Sequence, residues 1–129
     1  MESPIISFKS SLSVDDAVAA VEEATVSAGF GIQAKHDVNM MMAKRGVEFS
    51  SAVRIVEMCE PNFAKGMLGF DLSISAAMPC RISVYEKDGA TYLATISPKA
   101  MLLMFDAADG SEVADAIEFI LVGIMKQAC

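Results

Sequence analysis

The feature that most constrains this 129-residue chain is a turn, Asp88-Gly89, set between the runs Arg81 to Lys87 and Thr91 to Ser97. Asp-Gly between two strand-like runs is the composition of a two-residue β-hairpin, because both central positions of that turn need positive φ. A hairpin late in the chain commits part of it to antiparallel pairing. The longest helical patterns lie near the two ends. The expected architecture is therefore one α+β domain, a mostly antiparallel sheet of about five strands with helices packed on one face.

The remaining elements follow from periodicity and capping. Ile5 to Lys9 is a predicted strand. Ser13 suits the N-cap of a helix whose first turn carries Asp15 and Asp16, where the helix dipole favours negative charge. Val14, Ala17, Val18, Val21, Thr25 and Ala28 recur at helical spacing along it, and Gly29 ends it. A strand from Phe30 to Lys35 follows, then a short helix over Asn39 to Lys44 opened by Asp37-Val38 and ended by Gly46. Val47 to Phe49 is a predicted short extended piece, and Val53 to Met58 a predicted strand. Pro61 fits the first turn of a helix reaching Leu68. Gly69 to Met78 reads as a loop, although an apolar one carrying Phe70, Leu72 and Ile74. After the hairpin, Pro98 opens a helical turn through Met104. Ser111 is the expected cap of a last helix to Gln127. Val113, Ala116, Ile117, Ile120, Leu121 and Ile124 share one face of it, with Phe119 and Val122 off that stripe. No internal repeat, low-complexity segment or linker divides residues 1–129, which implies a single domain with two long helices and short inserted ones.

Composition narrows the function classes. Hydrophobic residues make up 53% of the chain and the mean hydropathy is +0.43. A domain of this size buries only roughly two-thirds of its unfolded surface. Surplus apolar surface points to a partner, most simply a second copy, and a homodimer is expected through Phe119 and Val122. Seventeen acidic against ten basic residues leave a net charge of −7, and Lys44-Arg45 is the densest basic spot. That balance repels phosphate backbones, so nucleic acid is not an expected partner. No apolar stretch reaches the roughly 20 residues needed to cross a bilayer, so no membrane partner is expected. Met1-Glu2-Ser3-Pro4 lacks the basic start and apolar run of a signal peptide, and the cysteines number three. Reduced thiols in a cytoplasmic protein are the expectation.

Two of those cysteines are the main chemical candidates. Cys59 ends one predicted strand and Cys80 begins the next. If these strands run antiparallel, both thiols fall at one edge of the sheet; if parallel, at opposite ends. A thiol pair beside the helix opening at Pro61 would feel its positive terminus, which lowers a thiol pKa and suits a soft metal or a redox pair. The competing reading, supported by the lack of CxxC spacing, makes both cysteines small hydrophobes at strand ends. The ten methionines include the run Met40-Met41-Met42, four residues after His36, and thioether, thiolate and imidazole are Cu(I) ligands. Consecutive helical residues point in different directions, however, so filling of a core or an interface is the expected role for that run. His36 is the only histidine. A Cys-His couple would need it beside Cys59 or Cys80 with an orienting group; the alternative is a polar residue at a strand edge. Glu57, Glu60, Asp71, Asp106 and Asp109 are scattered, without the spacing of a zinc site or a general acid/base pair. Gly29-x-Gly31 is a turn, and no dinucleotide fingerprint, P-loop or nucleophile elbow is present. The apolar stretch from Gly69 to Met78 either covers a ligand cavity or lies against the core or a second subunit.

His36-Asp37-Val38, Val56-Glu57-Met58-Cys59-Glu60-Pro61, Ala64, Met78-Pro79-Cys80-Arg81, Val84-Tyr85-Glu86, Gly89, Tyr92 and Pro98 together resemble the family called domain of unknown function 302. The helix opening Ser13-Val14-Asp15-Asp16-Ala17-Val18 and the pair Gly29-Phe30 extend the likeness over nearly the whole chain. The chain departs from it with Glu60 where a Cys-Asn-Pro stretch has Asn, and Met78 where Leu is usual. The departure at Glu60 removes an amide that could cap the following helix or touch a ligand. The resemblance implies a β-α-β4-α fold with added short helices and commonly a dimer; it implies no reaction.

The leading functional expectation is a non-enzymatic binding module holding a small ligand or soft metal. Cys59, Cys80, His36, Arg81 and Glu60 are its candidate residues, and Cys59 and Cys80 its metal ligands. No motif identifies a cofactor. The alternatives are a thiol-dependent enzyme or sulfur carrier using Cys59 or Cys80, and an interaction domain without chemistry.

Overall fold

A computed structural model describes residues 3–105 and 107–129; Asp106, one of the scattered carboxylates, lies outside the described residues, as do Met1 and Glu2. The hairpin forms as its sequence requires. Asp88 and Gly89 take φ of 53° and 78°, and Lys87 pairs directly with Ala90. β4 (Cys80–Lys87) and β5 (Ala90–Ile96) are thereby fixed in register. β1 (Ile5–Ser10) pairs with β5, β3 (Val53–Cys59) with β4, and β2 (Gly31–Asp37) with β3, every pair antiparallel. The sheet order is β1-β5-β4-β3-β2.

The long helices α1 (Val14–Ser27) and α5 (Ser111–Gln127) lie on one face of this sheet. The Ser13 hydroxyl accepts from the Asp16 amide, and α1 ends where Gly29 takes φ of 84°. At that end the amides of Gly29 and Phe30 return to the carbonyls of Val26 and Thr25, satisfying groups a helix end leaves free. Ala17, Val21 and Ala24 of α1 and Ile117, Leu121 and Ile124 of α5 meet Val56, Met58, Ile82, Val84 and Leu93 of the sheet in one core. Among the described residues no helix is long and apolar enough to cross a membrane.

Several local expectations are corrected. Val47 to Phe49 forms no strand. Instead the Asn39 amide donates to the carbonyls of Phe49 and Ser51, while its oxygen accepts from the Val53 amide and Arg54, so one side chain holds the loop in place of a ladder. Gly69 to Met78 is largely a 3-10 helix, Leu72–Ala77, started by the Asp71 carboxylate accepting from the Ser73 amide and hydroxyl. Those bonds hold Asp71 below the ordinary carboxylate pKa. Ser111 does not cap α5; Gly110 occupies the cap without a side-chain bond. On α5 the buried stripe includes Ala114 rather than Ala116; Phe119 lies off the stripe, as expected, and is 82% exposed. Met40 and Met41 are exposed on α2 (Val38–Ala43), a helix with no buried residue, so they fill no core in the single chain; Met58, Met67 and Met125 do.

Candidate functional site

Antiparallel pairing of β3 with β4 sets Met58 opposite Cys80, so Cys59 is the next residue along from the partner of Cys80. Both cysteines therefore sit at the same end of adjacent strands. Over that end lie α3 (Pro61–Leu68), the 3-10 helix, α4 (Pro98–Leu102) and α5, and between them is a cavity of about 50 Å³. Its wall on one side is the ring pair Phe30–Phe63, with centroids 5.8 Å apart. Cys59, Met67, Met78, Cys80 and Met101 line it, so sulfur-bearing residues come to it from β3, β4, α3, α4 and the segment after the 3-10 helix. Ile74 of the 3-10 helix is buried against it, so the apolar stretch both covers a cavity and packs on the core.

Each roof element is held by an identifiable contact. Glu60 is the N-cap of α3: its Oε2 accepts from the Phe63 amide at 2.8 Å and its Oε1 from Asn62 at 3.0 Å. The cap expected to be lost with the Asn is thus supplied by a carboxylate. Gly66 of α3 faces Val113 of α5, and a β-carbon there would stand 3.6 Å from it, an ordinary van der Waals contact. Ser97 caps α4 by accepting from the Ala100 amide, and its hydroxyl donates to Glu118 of α5.

The electrostatics run opposite to the sequence expectation of an activated thiol. The N-terminus of α3 is already satisfied by Glu60, and the negative charge of Glu60 stands beside Cys59. Burial, and then that charge, raise the Cys59 pKa. Cys80, the more deeply set, is pushed up to about 11, first by burial and then by Cys59, with Arg81 opposing weakly. Cys59 and Cys80 line the same cavity, and the Cys59 thiol contributes to the shift at Cys80. All three cysteines are free thiols, and Cys129 does not line the cavity.

Of the five candidate residues, Cys59, Cys80 and Glu60 meet at this cavity, whereas His36 and Arg81 do not. A register shift between Ile32 and Ala34 turns the second half of β2 over, which carries His36 to the face of the sheet away from α1 and α5. There it pairs opposite Ile55, and its Nε2 lies 2.8 Å from Glu57. Ile55 is four residues from Cys59, about 13 Å along the strand, so no Cys-His couple forms. Arg81 faces Glu57 across the ladder on that same open face. The sequence reading missed Met67, Met78 and Met101, because their convergence depends on three separate segments folding over one strand end. Among the described residues, no group of three or more His, Cys, Asp or Glu side chains could hold a metal ion.

With the short helices set aside, the element order is β-α-β4-α, and a sulfur-lined cavity at one end of an antiparallel sheet defines this α+β domain. Residues 6–128 match the family described as Domain of unknown function DUF302, and the chain belongs to that family. The crystal structure of an uncharacterized conserved DUF302 protein from Bacillus stearothermophilus is similar to it in fold. The two share 23% identity over 99% of this chain and 100% of that one, with a TM-score of 0.93. No curated protein matches the chain.

Proposed function

We propose that this protein is a binding module whose site is the cavity between Cys59 and Cys80, and that its occupant is a single soft metal ion. The observation that carries the reading is a cavity of about 50 Å³ with two neighbouring thiols in its wall. Pockets for small organic ligands run to about 300–1,000 Å³, so this one suits an ion better than a metabolite. Raised thiol pKa values argue against the enzyme and sulfur-carrier alternatives, which need a thiolate at neutral pH. They do not prevent metal binding, because a soft ion displaces the protons as it binds. Free thiols at all three cysteines suit a reducing cytoplasm.

Anaerobic titration of the reduced protein with Cu(I), in competition with a chromophoric chelator, tests the reading. One ion is expected per chain, with binding lost in both Cys59→Ala and Cys80→Ala. Failure of the parent to compete, or undiminished binding by both variants, would overturn it.

The homodimer finds its support on the sheet rather than on α5. Helices cover one face only; Ile5, Ile96, Ala94, Ile55 and the stacked pair Tyr85–Tyr92 line the other. The open sheet face also carries His36, Glu57 and Arg81, but it groups several apolar side chains, whereas the exposed side of α5 offers Phe119 among Glu112, Asp115 and Lys126. Self-association through the open sheet face predicts that Ile96→Lys shifts sedimentation from dimer to monomer and that Phe119→Lys does not. A parent that sediments as a monomer at all concentrations removes the proposal.

A further inference from the structure

Resting on the soft-metal reading, we infer that Met67, Met78 and Met101 complete the cavity as thioether ligands, making it a site for a monovalent thiophilic cation such as Cu(I) or Ag(I). The argument is the donor inventory. Two thiols and three thioethers line the cavity, and no histidine or aspartate does. The one carboxylate, Glu60, caps α3, accepting from the Phe63 amide with one oxygen and from Asn62 with the other. Zn²⁺ takes four ligands drawn from thiolate, imidazole and carboxylate. Here it would find two thiolates and one carboxylate already engaged in capping α3, short of four such ligands. Cu(I) accepts thiolate and thioether together, and the wall presents both.

Charge balance alone would prefer a divalent ion, since two thiolates and one monovalent cation leave a net charge of −1. Ligand supply outweighs this, because Cys59 is only partly buried and solvent screens the residual charge there. Binding forms two sulfur–metal bonds as two S–H bonds break, and both protons pass to solvent. The thioethers bind without proton release, so they set affinity and selectivity while the thiols set the pH dependence.

The experiment uses the reduced full-length chain, with Met78→Leu, Met101→Leu and the triple Met67→Leu/Met78→Leu/Met101→Leu variant. Leucine conserves volume, a change that costs less than about 1.5 kcal/mol in a core. The far-ultraviolet spectrum and melting point establish folding, and the single variants carry the test if the triple variant unfolds. The expected result is a Cu(I) Kd raised by about tenfold or more when a coordinating thioether is lost. X-ray absorption should show more than two sulfur scatterers in the parent and two in the triple variant. Zn²⁺ at equal concentration should fail to displace Cu(I). Cysteine-dependent Cu(I) binding that is unchanged in all the methionine variants would sink the thioether assignment and leave the soft-metal reading standing. Effective displacement by Zn²⁺ would do the same. Loss of Cu(I) binding in the parent itself would remove both.

Discussion

Cys80 and Glu60 show how single side chains set the chemistry of this domain. Cys80 has its pKa pushed up to about 11 from an ordinary 9.0, chiefly by burial. A raised thiol pKa means that the folded state holds its proton more tightly than the unfolded state. The associated stability is present below pH 9 and is lost as pH rises towards 11. The loss should amount to about 2 kcal/mol, and denaturant melts between pH 8 and 11 should show a shallower decline for Cys80→Ala than for the parent. Equal slopes would mean that burial does not hold the thiol. Glu60 caps α3 and stands beside Cys59, so its charge and its cap can be separated by substitution. Glu60→Gln keeps an acceptor for the Phe63 amide and removes the charge. The Cys59 thiol should then alkylate faster at a given pH, at a cost within about 1 kcal/mol of stability. An unchanged alkylation profile would show that Glu60 exerts no control. The sequence placed a carboxylate after Cys59, but its engagement with the start of α3 needed the folded helix to become visible.

At the scale of elements, the hairpin, α1 and α3 were legible because local chemistry decides them. Asp88-Gly89 accepts positive φ, Ser13 accepts from its own helix, and Pro61 suits a first turn where no amide is needed. The loop before β3 was not legible, because Asn39 holds it through bonds to residues 10 to 15 positions away. Asn39→Ala leaves the carbonyls of Phe49 and Ser51 and the amide of Val53 without that partner. It should cost about 1–3 kcal/mol and raise hydrogen exchange at Val53 and through α2, with exchange in β4 and β5 unchanged. Uniform acceleration across the sheet would contradict a local role for Asn39. The stretch from Gly69 to Met78 misled for a related reason: its apolar residues are too few for a helical period, yet Asp71 and the cavity wall stabilise a 3-10 turn.

For the whole molecule, the order β1-β5-β4-β3-β2 is what creates both surfaces of interest. It brings the end of β3 and the start of β4 beneath the short helices, and it leaves the opposite face without a helical cover. A ligand that binds only the folded state stabilises it by about 2.7 kcal/mol at a concentration 100 times its Kd, raising the melting point by roughly 10 °C. That shift with Cu(I) should persist in Cys129→Ser, whose thiol lies outside the cavity, and disappear in Cys59→Ala. Its persistence in Cys59→Ala would place the bound metal elsewhere.

The sequence by itself determined the elements whose signals are contained within a few residues: the hairpin, the capped helices, the α+β class and the family resemblance. It also singled out Cys59 and Cys80 and stated the condition, antiparallel strands, under which they meet. Only the tertiary structure decided that they do meet, that three methionines join them, and that His36 is turned to the other face. Those outcomes depend on strand register and on a one-residue bulge, and a shift of one residue in a strand exchanges the two faces of a sheet. Local propensity is blind to that shift, because it is settled by packing between segments far apart in the chain.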